Sequence, residues 1–129
     1  MHRAAHDAIV AHALAERPRE CCGVLLGAGD EIVEAVATRN VATSSGQYFI
    51  DPKGHIDARR DARQRGLDVV GFYHSHPLSP PLPSARDLAE ATYSGSLYLI
   101  VSLSTAQPGV SAYRFAAGDF IEVPLVTVP

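Results

Sequence analysis

The sequence contains no tryptophan, one methionine and only two cysteines, Cys21 and Cys22. Adjacent cysteines cannot close a useful disulfide loop, so we expect two reduced thiols, as in a cytoplasmic protein. Two cysteines are also too few for a closed, cysteine-rich structural zinc site. No apolar segment approaches the roughly 18 residues that a membrane span needs, and the N-terminus lacks the order of a signal peptide. These absences predict a cytoplasmic location and no membrane partner.

Excess positive charge is absent as well. The chain has 11 Lys and Arg against 14 Asp and Glu, which gives a formal net charge of −3. Binding to a nucleic-acid backbone calls for clustered Lys and Arg. The arginine-rich stretch 59–65 is interleaved with Asp57 and Asp61 at helical spacing, which is typical of a solvated helix face. We therefore predict no nucleic-acid partner.

The sequence does contain enough apolar residues for one domain over residues 1–129, since 47% of them are hydrophobic. Periodicity and turn residues predict helices at 2–16, 51–65 and from 84, and strands at 21–26, 31–38, 47–51, 67–73, 97–103, 110–115 and 120–128. Helices and strands alternate first, and strands follow one another at the end. This order predicts an α/β fold, a single-domain mixed sheet flanked by helices, with parallel neighbours only at the crossovers.

Two histidines follow a predicted buried strand. Residues two apart on a strand point to the same side, so His74 and His76 can share a metal ion. Asp87 follows after the segment 77–83, whose four prolines exclude helix and central strand. Two imidazoles and one carboxylate leave a fourth position for water, which is typical of catalytic zinc. The sequence thus predicts one zinc ion held by His74, His76 and Asp87.

These residues also have ordinary structural interpretations. Ser84-x-x-Asp87 is a capping box, a role compatible with metal binding, and two histidines can be plain polar side chains at a sheet end. Glu20 stands where the chain enters the strand 21–26, so it is a candidate general base or else a solvated loop residue. Cys22 is expected to pack as a small apolar side chain, with a thiolate near the zinc as the alternative.

Taken together, the segments 20–27, 74–77 and 84–87 resemble the full JAMM motif of MPN+ metallopeptidases, especially the short bacterial JAB branch. Their order and gaps match, no motif position is substituted, and the segment 48–52 also looks like that family. The resemblance implies a cytidine-deaminase-like (JAB/MPN) fold. It further implies the roles of the site: zinc on His74, His76 and Asp87, Glu20 as the general base, and Ser84 as a stabiliser of the tetrahedral intermediate.

The resemblance also bears on the substrate. Members that cleave polyubiquitin carry insertions for which this chain has no length. The similarity to short bacterial relatives implies a zinc metallopeptidase or isopeptidase that acts after the Gly-Gly tail of a ubiquitin-like sulfur-carrier protein. It would trim a precursor or release an attached amino acid such as cysteine.

Three alternatives stand beside this interpretation. The first is a non-catalytic interaction module of the MPN type, although such modules typically lose metal ligands. The second is a RadC-like, nucleic-acid-associated relative, which the acidic charge disfavours. The third is a zinc nucleoside deaminase, which needs His-x-Glu and Pro-Cys-x-x-Cys motifs that this sequence lacks. The sequence leaves a homodimer open.

Overall fold

The computed structural model describes residues 1–44 and 46–129. Its elements in chain order are α1 (Arg3–Glu16), β1 (Cys22–Ala28), β2 (Glu31–Thr38), α2 (Pro52–Gln64), β3 (Asp68–His76), α3 (Ala85–Glu90), β4 (Leu97–Ser102), β5 (Gly109–Ala116) and β6 (Asp119–Val123). The strands form one six-stranded sheet in the order β2-β1-β3-β4-β5-β6. The β3 and β4 strands are parallel, and the other neighbouring pairs are antiparallel. The predicted mixed sheet is confirmed. None of the helices described is long and apolar enough to cross a membrane.

The first helix, α1, packs on one face of the sheet. Ala5, Ile9 and Ala13 recur every four residues, which places them on one side of the helix, and all three are buried. They pack in one hydrophobic cluster with sheet residues that include Leu25 and Leu99. The predicted first helix is thus confirmed, and its apolar side forms one of the two cores.

The opposite face of the sheet is covered by α2. Asp51 accepts a hydrogen bond from a backbone N–H of the first turn, and Pro52 occupies the first helical position, where its missing N–H costs nothing. Ala58 and Ala62 are buried against a second cluster that contains Phe72. The sheet therefore has a core on each face.

The central strand, β3, carries alternating residues to these two faces. Tyr73 belongs to the core under α1, whereas Phe72 belongs to the core under α2. By the same alternation His74 and His76 point to the face of Phe72. The strand continues to His76, three residues beyond the predicted end at Tyr73. Both histidines therefore stand on regular, hydrogen-bonded backbone.

Glycine at position 23 allows this central strand to pack tightly against β1. A Cβ atom on Gly23 would lie 2.2 Å from the ring of Tyr73, closer than any real contact. The ring passes over Gly23, and its hydroxyl bonds with Nδ1 of His12 on α1 at 2.7 Å. Gly23 of the segment 20–27 thus has a packing role.

The strand predicted over 47–51 was wrong. In the part of this segment that the structure describes, one bridge joins Ile50 to Asn40. The side chain of Asn40 takes the backbone hydrogen bonds of Gln47 and Phe49 that a neighbouring strand would otherwise take. The Phe49 carbonyl also accepts from the Val41 N–H at 2.9 Å, and the Asp51 N–H donates to the Arg39 carbonyl at 3.0 Å. The segment is therefore an irregular loop held by one amide side chain together with these backbone bonds.

The last predicted strand, 120–128, was too long. The β6 strand ends at Val123, because Pro124 has no N–H to continue the ladder. The chain then crosses to the N-terminus, where Val128 forms an isolated bridge with His2. The predicted turn before β6 is confirmed, with Ala117 and Gly118 at φ values of 53° and 76°.

Candidate active site

The side chains of His74, His76 and Asp87 converge where β3 ends and α3 begins. The two histidine Nε2 atoms lie 3.2 Å apart. Asp87 places Oδ1 3.2 Å from Nε2 of His74 and Oδ2 3.1 Å from Nε2 of His76. All three residues are at most 7% exposed. The structure thus brings together the three predicted metal ligands, and within residues 1–44 and 46–129 no other group of His, Cys, Asp and Glu meets in this way.

The spacing of these atoms fits a metal ion. A tetrahedral zinc ion with bonds of roughly 2.0–2.2 Å keeps its ligand atoms about 3.3–3.6 Å apart, close to the separations of 3.1–3.2 Å found here. The donor set of two imidazole nitrogens and one carboxylate also leaves one position of a tetrahedron for another ligand. The residues present therefore fit a catalytic type of metal centre.

The proline loop, residues 77–83, orients the ring of His76. Its Nδ1 lies 2.9 Å from the carbonyl oxygen of Pro80, which can only accept, so Nδ1 carries a hydrogen and Nε2 is the nitrogen that faces Asp87. The carbonyls on either side of Pro80 accept hydrogen bonds from the hydroxyls of Ser102 and Tyr113, at 2.6 and 2.7 Å. Three consecutive carbonyls of the loop are thus held by side chains of the sheet.

His74 is oriented by an aromatic ring. Tyr48 stacks on the imidazole, with ring centroids 4.3 Å apart and an angle of 15° between the planes. Burial lowers the pKa of His74, although Asp87 opposes this effect. The neutral imidazole that results is the form that binds metals. The sequence predicted no role for Tyr48, which stands there only within the segment 48–52.

Asp87 is held by the first turn of α3. The Ser84 hydroxyl oxygen accepts from the Asp87 N–H at 3.0 Å, and Asp87 Oδ2 accepts from the Ser84 N–H at 2.9 Å, so the predicted capping box is confirmed. Burial alone would raise the pKa of Asp87. The hydrogen bonds from His74, His76 and the Ser84 N–H outweigh burial and lower that pKa, so the side chain is a carboxylate.

Glu20 stands at the same end of the sheet, one residue before Cys21, where the pairing with β3 begins. Cys21 donates its N–H to the Ser75 hydroxyl at 2.8 Å and accepts the Ser75 N–H at 3.0 Å. Continuing this antiparallel pairing by one residue places Glu20 opposite His76, on the face of the histidines. The folded chain therefore brings Glu20 beside a group that lies 54 or more residues away in sequence.

The carboxyl of Glu20 is half-buried, and its pKa reflects that position. Burial raises the pKa to about 7, while nearby His76 and Arg86 lower it and Asp87 and Glu90 raise it. A carboxyl with a pKa near neutrality can both accept and return a proton at physiological pH. This environment differs from that of a solvated loop residue, the alternative prediction for Glu20.

Cys22 packs as predicted. It is fully buried, its Sγ lies 3.5 Å from the Thr38 hydroxyl and 3.7 Å from the Arg39 carbonyl, and burial raises its pKa to about 11. The thiol is thus protonated and bonded to the neighbouring strand. The alternative of a thiolate beside the metal finds no support in this geometry.

Two imidazoles, one carboxylate and a neighbouring carboxyl on a helix-covered mixed sheet define a mononuclear metallohydrolase type of centre. Comparison with known proteins agrees with this class. The chain belongs to the Prok-JAB family, the prokaryotic homologs of the JAB domain, which matches residues 2–116. The family predicted from the motif segments is confirmed.

Individual proteins are similar over most of the chain. The desampylase of Haloferax volcanii is 40% identical over 126 residues, 92% of this chain and 88% of that protein. The “Probable TtuB-protein conjugate cleaving protease” of Thermus thermophilus is 42% identical over 120 residues, 92% of this chain and 75% of that protein. Protein DSY2949 of Desulfitobacterium hafniense has a similar solution structure, with a TM-score of 0.89, 27% identity, and coverage of 99% of this chain and 93% of that one.

Proposed function

We propose that this chain is a zinc-dependent metallo-isopeptidase that cleaves conjugates of a ubiquitin-like sulfur-carrier protein. The observation that carries the proposal is the meeting of His74, His76 and Asp87 within 3.2 Å of one another, beside the half-buried Glu20. Two similar proteins are named as a desampylase and as a protease that cleaves protein conjugates. These names support peptidase chemistry on a ubiquitin-like conjugate.

The ligand set favours zinc. Two histidines and one carboxylate are a common catalytic zinc set, and the hydrogen bond from Nδ1 of His76 to Pro80 presents Nε2 for coordination. When bound, zinc supplies Lewis acidity, which lowers the pKa of a water molecule and polarises a carbonyl group. The burial of all three ligands keeps bulk water from competing for their positions.

Glu20 is the proposed general base. Its carboxylate accepts a proton as water attacks the carbonyl carbon of the scissile amide, and it gives this proton to the leaving amine as the C–N bond breaks. A pKa of about 7 suits both steps, because the group is near half-protonation at neutral pH. No covalent bond between enzyme and substrate is needed.

Ser84 is the proposed stabiliser of the tetrahedral intermediate. Its oxygen accepts the Asp87 N–H in the capping box, which leaves the hydroxyl hydrogen free to donate. Negative charge develops on the carbonyl oxygen during attack, and a fixed donor there stabilises it. The cap fixes this hydroxyl at the start of α3, beside Asp87.

The rigidity of the proline loop favours a substrate with a narrow tail. Because the Pro80 carbonyl is bonded to His76, and its neighbours to Ser102 and Tyr113, this side of the site is rigid. An extended Gly-Gly terminus has no side chains to meet such a wall, so its carbonyl can approach where larger residues are stopped. Trimming a precursor and releasing an attached amino acid such as cysteine are then the same reaction on different leaving groups.

A carrier substrate tests the proposal. We expect the chain to remove one extra residue or a cysteine placed after the Gly-Gly of a ubiquitin-like sulfur carrier, and to process an Ala-Ala variant far more slowly. Cleavage is followed by mass spectrometry of the carrier tail. The His74→Ala, His76→Ala double variant serves as the inactive control. Equal rates on both carriers, or rapid cleavage of unrelated unfolded peptides with neither carrier processed, would refute the Gly-Gly specificity.

A further inference from the structure

Asn40 is the only asparagine of the chain. Its side chain joins the backbone of Glu20, before β1, to the irregular segment that contains Tyr48. Its Nδ2 donates to the carbonyl oxygens of Glu20 and Gln47, both at 2.9 Å. Its Oδ1 accepts from the N–H groups of Ala42 and Phe49, both at 3.0 Å. An amide side chain has two N–H donors and an oxygen with two lone pairs, so its full capacity is used.

We infer that Asn40 is a positioning residue that aligns both the metal ligand His74, through Tyr48, and the general base Glu20. The inference rests on the proposed function for the role of Glu20. The part that concerns His74 is a statement about metal binding and can be tested without any substrate.

The link to His74 runs through the loop that carries Tyr48. Gln47 and Phe49 flank Tyr48, so Asn40 holds the backbone on both sides of it. The Tyr48 ring in turn lies flat on the His74 imidazole at 4.3 Å. A flat contact fixes the rotation of the imidazole about its Cβ–Cγ bond, and this rotation decides where Nε2 points.

The link to Glu20 runs through one peptide group. Its carbonyl, from Glu20, accepts from Asn40 at 2.9 Å, and its N–H, from Cys21, donates to Ser75 at 2.8 Å. Because a peptide group is planar, two bonds on opposite sides fix its orientation. The direction in which the Glu20 side chain leaves the backbone depends on that plane.

Two pairs of variants separate these links. Asn40→Asp keeps the shape but places an oxygen 2.9 Å from two carbonyl oxygens, and Asn40→Ala removes all four bonds. Loss of a residue that orients a metal ligand typically weakens metal binding by about 10- to 100-fold. We expect Asn40→Ala and Tyr48→Leu each to raise the zinc Kd by about tenfold, measured by competition with a chromogenic chelator. Tyr48→Phe keeps the ring and should keep the wild-type Kd.

A double-mutant cycle tests whether Asn40 acts through Tyr48. If it does, adding Asn40→Ala to Tyr48→Leu causes no further loss of zinc affinity, because the ring it holds is already gone. Compared with Tyr48→Leu alone, the double variant should have a lower kcat on the carrier substrate and the same KM. The reason is that the link from Asn40 to Glu20 does not pass through Tyr48. Ile9→Val, on the buried side of α1 and on the other face of the sheet, is the control for a loss of thermal stability alone.

Several outcomes would overturn the inference. Equal losses of zinc affinity from Asn40→Ala with and without Tyr48 would exclude the link through the ring. Asn40 variants that lose thermal stability but keep zinc Kd and kcat, as Ile9→Val should, would make Asn40 a structural residue only. Should the Asn40 variants not fold, an unchanged zinc Kd in Tyr48→Leu would still refute it. If the wild-type chain cleaves no carrier yet the zinc cycle behaves as expected, the proposed function fails and the link to His74 stands.

Discussion

At the scale of single residues, Glu20 combines a half-buried carboxyl with a pKa raised to about 7 by that burial. Glutamine has nearly the same shape but cannot take a proton. We therefore expect Glu20→Gln to fold and to bind one zinc ion as the wild type does, while losing turnover by about 100- to 10,000-fold, the usual contribution of a general base. Elemental analysis, the thermal midpoint and kcat on the Gly-Gly carrier are the measurements.

The matched control for this variant is Glu31→Gln, the same chemical change at the start of β2, where Glu31 pairs with His2 on the protein surface. It should leave zinc content and turnover unchanged. Wild-type turnover in Glu20→Gln on a verified substrate would return Glu20 to the status of an ordinary residue at a strand entrance, and the proton acceptor would have to be another group.

The residues of the site differ in how far sequence could predict them. His74, His76, Ser84 and Asp87 lie within local spacings that a strand end and a helix start impose, so their convergence follows from local structure. Its position at a strand entrance made Glu20 a candidate base, but no spacing rule joins it to a group 54 residues away, so the choice over a solvated residue rested on the resemblance to a family. Its approach depends on the pairing of β1 with β3.

Tyr48 and Asn40 could not have been found in this way. Both belong to an irregular part of the chain in which the bonds of Gln47 O and Phe49 N–H go to the Asn40 side chain, and periodicity says nothing about such bonds. The segment 47–51 has Tyr48, Phe49 and Ile50 at its centre, residue types that are common in strands, which explains the wrong prediction there. Only the folded structure shows that Asn40 is the polar residue whose side chain bonds on both sides of Tyr48.

At the scale of elements, the first turn of α3 combines helix capping with the proposed chemistry, and Ser84 allows the two to be separated. Replacing an N-cap serine costs about 0.5–2 kcal/mol for alanine but only a few tenths for glycine. Neither replacement has a hydroxyl, and losing one donor to the intermediate typically costs about 100- to 1,000-fold in rate. We expect Ser84→Ala and Ser84→Gly to lose kcat equally while Ser84→Gly stays closer to the wild-type thermal midpoint.

The comparison is informative in both directions. Activity that recovers in Ser84→Gly along with stability would mean that Ser84 acts only as a cap that holds Asp87. Equal activity loss despite unequal stability is the result that supports a hydroxyl in contact with the reacting oxygen. Zinc content in both variants shows whether Asp87 still binds.

The boundaries of helices and strands were predicted better where the sequence carries residues typical of a turn or of a helix start. The turn at Ala117 and Gly118 and the start of α2 at Asp51-Pro52 carry strong local signals, and both are confirmed. The end of β3 was placed too early, because His74 and His76 are polar and look like a departure from a buried strand. They remain in the strand because its ladder with β4 continues to the pair of His76 and Ser102.

At the scale of the whole molecule, the topology explains why the site lies where it does. The parallel pair β3 and β4 sits in the middle of the sheet, and ligands in mixed α/β sheets commonly bind at the carboxyl ends of parallel strands. The antiparallel β1 begins at that same end, which brings Glu20 there. Residues from both halves of the chain thus meet at one end of the central strands.

The same architecture predicts how the fold depends on metal. Each face of the sheet has its own hydrophobic core, one under α1 and one under α2, and neither includes His74, His76 or Asp87. The three side chains also bond with one another and with the capping box. We therefore expect a protein that keeps its fold when the metal is removed, unlike zinc fingers, which unfold.

Metal removal should nevertheless lower stability, because a ligand that binds only the folded state stabilises it by about 2.7 kcal/mol at 100 times its Kd. For a domain of this size 1 kcal/mol corresponds to about 3–6 °C, so chelation should lower the thermal midpoint by about 8–16 °C. Circular dichroism at 20 °C should stay unchanged, and elemental analysis of untreated protein should give one zinc per chain. The His74→Ala, His76→Ala double variant should not respond to the chelator. Unfolding at 20 °C on chelation would show that the metal holds the fold together. A midpoint unaffected by chelation, together with zinc content near zero that added zinc cannot restore, would remove the basis for a catalytic metal at this site.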